Sequence, residues 1–269
     1  MRAALSVGEI LDESADCVRL VAAPWLGVLW LTSLPLRMAQ AHFAARLIEL
    51  GREAQGYGDH LSRLALVSAA TLLLSLWGRA VFANACRQAL QGALRGAAVL
   101  RLRPTGLLSY AYVALLIEAV FYATCLSAVA VPVLALAAGL AAATLPFSGR
   151  AGLLRPLATL SGSAEQARPL VALLLSFGAG FLLAGVNLLA LSQAGLWLAR
   201  GVPGLELARW SGLLSPRYPR FLCVLLTGAW LAVEPWWLAS LVVYVHKLRA
   251  RATGEDLRLW FERLREAEA

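Results

Sequence analysis

The feature that most constrains the fold is an apolar run from Leu107 to Phe147, in which Glu118 is the only charged residue. At 1.5 Å per residue a single helix of this length would measure about 60 Å, twice the roughly 30 Å of hydrocarbon in a bilayer. We therefore divide the run near Pro132 into two transmembrane spans, although one long broken helix is the alternative. Either division predicts an integral membrane protein.

Four further apolar runs predict four further spans. We expect an all-α fold, a polytopic transmembrane helical bundle of about six spans that forms a single transmembrane domain over 1–269. The predicted spans are approximately 20–36, 61–86, 107–129, 131–147, 169–198 and 221–245. The chain is 60% hydrophobic and 15% charged, whereas soluble domains are about 25% charged. The net charge of +8 does not indicate nucleic acid, because the arginines lie mainly between apolar runs.

Three interfacial amphipathic helices are also expected, at approximately 7–18, 88–102 and 255–268. Ser6 and Glu9 have the spacing of a capping box, which predicts a helix start near Val7. The acidic residues among its apolar positions place this helix along the membrane surface or under the bundle. Residues 37–60 are polar and contain three glycines, so they predict a loop with a short helix over 44–50.

The distribution of basic residues predicts the orientation. With six spans and both termini cytoplasmic, 16 of the 24 basic residues lie on the cytoplasmic side, as the positive-inside rule expects. Merging 107–147 into one span leaves 11 inside and 13 outside and removes the bias. Because arginine greatly outnumbers lysine in a chain rich in alanine, leucine and glycine, we expect a GC-rich bacterial genome and a multi-pass protein of the cytoplasmic (inner) membrane.

Three ionisable residues fall at membrane depth: Arg79, Glu118 and Glu234. A charge at the bilayer centre costs at least about 2.5–3.5 kcal/mol, so each should face the bundle interior. We expect an Arg79–Glu118 ion pair, with Glu234 neutral or hydrated. The alternatives are a proton, cation or substrate site on the surplus carboxylate, and an arrangement in which the three never meet. Asn84 and Asn187 are further candidates for this polar network.

Small residues recur at four-residue intervals in two predicted spans. Such ridges let helix backbones approach closely where lipid provides no hydrophobic drive. We expect internal packing faces, with an interface to another subunit as the alternative. The residues are Ala135, Gly139 and Ala143 in span 4, and Ala172, Ser176, Gly180 and Ala184 in span 5. Pro235 removes the amide that would bond to Leu231, which predicts a kink or interruption in span 6.

No nucleotide-binding, zinc-protease or serine-hydrolase motif is present in the sequence. We therefore expect no enzymatic activity, no catalytic residue, no cofactor and no metal site. The leading functional prediction is a non-enzymatic membrane module that acts as a scaffold or accessory subunit of a bacterial envelope or transport assembly. The first alternative is a small transporter or channel-like protein that uses intramembrane carboxylates, and the second is a membrane-embedded enzyme acting on lipid. Expected partners are membrane lipids and other membrane proteins or a second copy, and no nucleic acid.

Both ends of the chain carry a short resemblance. Gly8-Glu-Ile-Leu-Asp12 opens the first helix, and Lys247 begins a basic segment that continues into Gly254-Glu-Asp-Leu257. These segments resemble uncharacterised bacterial multi-pass membrane proteins related to the glycerophosphodiester phosphodiesterase membrane-domain group, without the catalytic domain. The resemblance covers about 35 residues and implies a six-helix membrane module, an accessory or assembly partner, with no active site carried over.

Overall fold

The structure, a computed structural model, describes residues 6–50, 58–92, 94, 96–102, 104–123, 130–147, 164–199, 214–215 and 218–254. All regular secondary structure in these ranges is helical, which confirms the all-α prediction. The elements are α1 (Val7–Leu50), α2 (Gly58–Leu90), the single turn α3 (Gly96–Val99), α4 (Pro104–Ala123), α5 (Ala130–Thr144) with a 3-10 turn at Leu145–Phe147, α6 (Ala164–Ala199) and α7 (Pro219–Thr253). The predicted interfacial helix 255–268 lies outside the described residues.

Two of the described helices are long and apolar enough to cross a membrane: Arg168–Ala199 in α6 and Pro219–Arg251 in α7. A third candidate is α1, whose segments Val7–Val21 and Pro24–Phe43 meet at an angle of 99°. Proline at the start of the second segment removes an amide and clashes with the preceding turn, which accounts for a sharp bend. The chain is therefore a helical membrane protein with two to three candidate spans by length and composition, fewer than the six predicted.

The apolar run 107–147 is divided between α4 and α5. Its described apolar helices, Pro104–Val120 and Pro132–Phe147, are shorter than the others. Pro132 lies in the first turn of α5, where a backbone amide has no intrahelical partner in any case. The two helices contact each other, and α5 also packs on α7.

The segment 7–21 of α1, here called the N-terminal arm, starts at Val7 as the capping box predicts. One face of the arm is buried at the helical spacing of Ile10, Ser14, Cys17 and Val21. The Ser240 hydroxyl of α7 donates to the Ser14 hydroxyl at 3.1 Å, and the Cys17 thiol donates to a backbone carbonyl of α2 at 3.6 Å. The arm therefore packs across the ends of α2 and α7.

The arm is also joined to α7 by charge. Lys247 lies 2.7 Å from a carboxylate oxygen of Glu13 and 3.6 Å from one of Glu9. The acidic residues that predicted a surface position thus contact the last described helix. Because the side chains of Glu9 and Glu13 are 67% and 47% exposed, each contact contributes at most about 1 kcal/mol of stability.

Two sequence predictions about connections are wrong. The predicted loop at 37–60 is absent over its first part, because α1 continues without interruption to Leu50. The predicted interfacial helix 88–102 is also absent, because α2 ends at Leu90 and is followed by a turn and by α3. Gly92 adopts φ +64°, a left-handed conformation that terminates helices and favours glycine. The Asn84 amide then donates to the Val99 carbonyl at 2.9 Å, which holds α3 against α2.

Pro235 does not interrupt α7, which runs from Pro219 to Thr253. The carbonyl of Leu231, which Pro235 leaves without a helical donor, accepts a hydrogen bond of 2.8 Å from the Trp30 indole of α1. An unsatisfied backbone group in a bilayer costs several kcal/mol. The Trp30 indole therefore replaces the missing amide, and the predicted interruption does not occur.

Glycines set the closest helix contacts. A methyl group placed on Gly78 of α2 would overlap the Thr32 hydroxyl of α1, and one on Gly139 of α5 would lie 2.5 Å from the Leu241 side chain of α7. Gly180 of α6 faces α7 at ordinary van der Waals distance, with Val233 at 3.5 Å from the same position. The two small-residue ridges therefore contact α7 at Gly139 and Gly180. Of the other ridge residues, Ala143 is fully buried, while the half-buried ones are Ala135, Ala172, Ser176 and Ala184.

Candidate functional site

A cavity of about 200 Å³ lies inside the helical bundle. All the long helices contribute to its wall: α1, α2, α4, α5, α6 and α7. Most of the lining is apolar, while the polar lining residues are Arg37, Gln40, Arg79, Glu118, Thr227, Trp230 and Glu234. Pockets for drug-sized ligands measure about 300–1,000 Å³. This cavity is suited to a small solute.

Glu234 is the most buried of the charged residues in the cavity wall, with 2% of its surface exposed. Its Oε1 accepts hydrogen bonds from Arg79 Nε at 2.9 Å and Arg79 Nη2 at 2.6 Å. The same oxygen accepts a third bond from Arg37 Nη2 at 3.2 Å. Two guanidinium groups from two helices therefore converge on one oxygen of a third helix. Such charge-assisted bonds are roughly twice as strong as neutral ones.

Gln40 extends this network to the second carboxylate. Arg37 Nη1 donates to Gln40 Oε1 at 2.6 Å, and Gln40 Nε2 donates to both oxygens of Glu118, at 2.8 and 3.1 Å. The guanidinium carbon of Arg37 also lies 4.1 Å from the centre of the Trp230 ring, a cation–π contact. Arg37 is therefore held from three sides, by an amide, a carboxylate and an aromatic face.

Three buried polar atoms of this group have no hydrogen-bond partner. They are Glu234 Oε2, Arg37 Nε and Trp230 Nε1, and all three residues line the cavity. A buried polar atom without a partner typically costs about 1–3 kcal/mol, more when the group is charged. Such costs are found where a protein binds water, an ion or a ligand. The unpartnered atoms of these lining residues mark the cavity as the candidate site.

The structure brings together the three ionisable residues predicted at membrane depth, because Arg79, Glu118 and Glu234 all line the cavity. The predicted pairing is wrong, since the ion-pair partner of Arg79 is Glu234 and not Glu118. The sequence favoured Glu118 because its span follows that of Arg79 along the chain. In the bundle α7 also packs on α2, and its carboxylate reaches the guanidinium.

The two asparagines proposed for the network lie elsewhere. Asn84 is bonded to the α3 turn, and Asn187 is exposed on α6. Sequence reasoning missed Arg37, Gln40 and Trp230, the first two because they were assigned to an outer loop. A signal was available, since positions three residues apart lie on the same helix face.

Among the described residues, no group of three histidine, cysteine, aspartate or glutamate side chains could hold a metal ion. Comparison with known proteins gives no relative: no family model, no curated protein and no solved structure matches this chain. The resemblance at the two termini therefore stays a prediction. The function is therefore inferred from the chemistry of the cavity.

Proposed function

We propose that this protein is a non-enzymatic membrane protein that binds a small polar solute in the cavity, as a small transporter or channel-like protein does. The observation that carries the proposal is Glu234, a buried carboxylate in a candidate membrane span, with one oxygen held by two arginines and the other unpartnered. Ionisable residues inside membrane segments are costly and mark substrate or ion pathways. The wall built from six helices also places this group where relative helix movement would alter access.

This proposal reverses the order of the functional predictions made from the sequence. The sequence alone showed packing ridges and no cavity, which favoured a scaffold or accessory subunit. Arg37 and Gln40, which the sequence predicts in a loop outside the membrane, are polar residues of the cavity wall. The accessory role stays a prediction that co-purification of a partner in mild detergent would test.

Thermal stability in detergent tests whether a solute enters the cavity. The wild-type protein is melted with a panel of small anionic, cationic and neutral solutes, because a ligand that binds only the folded state raises the melting temperature. We expect a response to at least one solute, and its loss in Ala138→Leu, which fills part of the cavity. Ala137→Leu is the matched control, since Ala137 is not in the lining. No response to any charge class would contradict the proposal.

We further propose six spans in the bacterial cytoplasmic membrane, with both termini cytoplasmic. The bias of basic residues supports this topology. Cysteine labelling from outside intact cells tests it, with one cysteine at Gly56 in the predicted outer loop and one near the C-terminus. Gly254 has φ +73°, so the exposed neighbour Thr253 is the better position. Labelling of Gly56→Cys alone is expected, and equal labelling of both positions would refute the topology.

A further inference from the structure

We propose that the solute bound in this cavity is a small anion, and that Glu234 takes up one proton when the anion binds. This inference rests on the proposed function and adds the chemical class of the ligand. It is carried by three features of the site: convergent guanidinium groups, an excess of unpartnered donors over acceptors, and a carboxylate that the ligand can replace.

The guanidinium groups are the first feature. Arg37 and Arg79 meet at a single oxygen of Glu234, so two positive charges share one carboxylate at this point. Guanidinium groups hold carboxylate and phosphate oxygens through paired N–H donors. Arg79 bonds to Glu234 through Nε and Nη2, and Arg37 bonds to the same oxygen through Nη2. An anion would therefore find donors already placed by two helices.

The unpartnered atoms are the second feature. Arg37 Nε and Trp230 Nε1 are donors only, whereas Glu234 Oε2 is an acceptor while the carboxylate is ionised. A cationic ligand would satisfy the carboxylate oxygen alone and leave both N–H groups unpartnered. An anion satisfies the two N–H groups. A proton on Oε2 converts that oxygen into a third donor, so that no unpartnered acceptor is left among these atoms.

Charge balance is the third feature. The charged groups that line the cavity are Arg37 from α1, Arg79 from α2, Glu118 from α4 and Glu234 from α7, while α5 and α6 contribute only uncharged residues. Tyr110 of α4 is a further titratable group that interacts with Arg79. When Glu234 gains a proton it loses its negative charge, and a bound monoanion restores that charge. The local charge therefore stays constant through binding.

The shape of the cavity limits the ligand to a short molecule. Part of the wall is polar, and another part is apolar and includes Ile117, Leu134 and Leu226. A charged head with a short apolar tail matches this division. A carboxylate with a few carbons and a phosphate group present the same oxygen chemistry, and the phosphate could come from free solute or from a lipid headgroup.

Calorimetry on the purified protein in detergent tests the inference with three molecules of similar size and different charge: butyrate, butylammonium and butyramide. We expect butyrate to bind best. Its affinity should fall by up to about tenfold for each unit by which the pH is raised, as uptake of one proton requires. Titrations in two buffers of different ionisation enthalpy count that proton directly. Inorganic phosphate and dihexanoyl phosphatidate form two further arms, and a response to phosphatidate alone would identify a lipid headgroup as the source of the same anionic group.

Two variants separate the anion site from a purely structural network. Glu234→Gln mimics the protonated side chain, so butyrate binding should persist, lose its pH dependence and take up no proton. Arg37→Gln retains the Arg79–Glu234 pair and should lose binding, while Ala137→Leu outside the lining should change nothing. Preference for butylammonium or butyramide, abolished by Ala138→Leu, would overturn the anion class and leave the proposed function standing. Binding of butyrate without proton uptake would overturn the role of Glu234.

Discussion

Replacing Gly78 by alanine should weaken the contact between α1 and α2, and it should destabilise the protein more than the same substitution at a glycine with open space around it. The new methyl group would overlap the Thr32 hydroxyl and lie 2.8 Å from Thr32 Cβ, whereas carbon atoms pack at about 3.5–4.0 Å. Rotation of the Thr32 side chain cannot relieve this, because Cβ is fixed by the backbone. The Thr32 hydroxyl is also bonded to carbonyls of its own helix at 2.8 and 3.1 Å. The two helices must therefore move apart.

The loss of stability in Gly78→Ala is best measured relative to the same substitution at a second glycine, Gly178. Overpacking a well-packed site costs about 1–3 kcal/mol, but alanine in a helix gains about 1 kcal/mol over glycine. Gly178→Ala in α6 receives only that gain, since nothing lies within 4 Å of its new methyl group. The difference between the two variants cancels the propensity term and leaves about 1–3 kcal/mol. At about 2–4 °C per kcal/mol for a chain of this size, Gly78→Ala should melt several degrees below Gly178→Ala.

The assay is thermal unfolding in mild detergent, followed by tryptophan fluorescence. Thr32→Gly alone and Thr32→Gly with Gly78→Ala complete a double-mutant cycle. Thr32→Gly removes the overlapping atoms, so Gly78→Ala should cost much less in that background than in the wild type. The reasoning is wrong if Gly78→Ala and Gly178→Ala melt together, or if the cost of Gly78→Ala is the same in both backgrounds.

Three further predictions concern the contacts of α7. Trp30→Phe should cost about 1–3 kcal/mol, because the carbonyl that Pro235 leaves unpaired loses its donor; Pro235→Ala should abolish this cost, and an equal loss in both backgrounds would contradict it. Gly180→Leu should lower the melting temperature by separating α6 from α7, whereas Leu182→Ala, at a side chain 68% exposed, should be tolerated; equal tolerance would place the ridge against lipid. Lys247→Ala should cost no more than about 1 kcal/mol and less in high salt, so a large, salt-independent loss would show that the arm contact is not a surface ion pair.

Local signals in the sequence predicted local structure well. The capping box at Ser6 predicted the first residue of α1, because a helix start depends on a few consecutive residues. The polarity of 37–60 led to a wrong prediction of a loop. Arg37 and Gln40 line the cavity, where they bond to buried carboxylates. A polar segment looks the same in sequence whether water or buried carboxylates satisfy it.

Long-range pairing could not be read from spacing. Depth along each helix predicted that Arg79, Glu118 and Glu234 lie close together, and all three line the cavity. The choice of partner depends on which helices are neighbours and how they are rotated, and one sequence holds neither quantity. The same limit applies to Trp30, since the free carbonyl at Leu231 follows from Pro235 but its donor lies about 200 residues earlier in the chain.

The contact between the N-terminal arm and α7 has a consequence for biosynthesis. Synthesis proceeds from the N-terminus, so the arm emerges first, but Ser240 and Lys247, which bind it, emerge near the end. Arg79 is likewise synthesised long before Glu234, its ion-pair partner. Until α7 is made, Arg79 lacks the carboxylate that it binds in the complete chain, and the buried face of the arm lacks its contacts with α7. The contacts that close the bundle therefore join the first and last described helices, and they form only after nearly the whole chain has been synthesised.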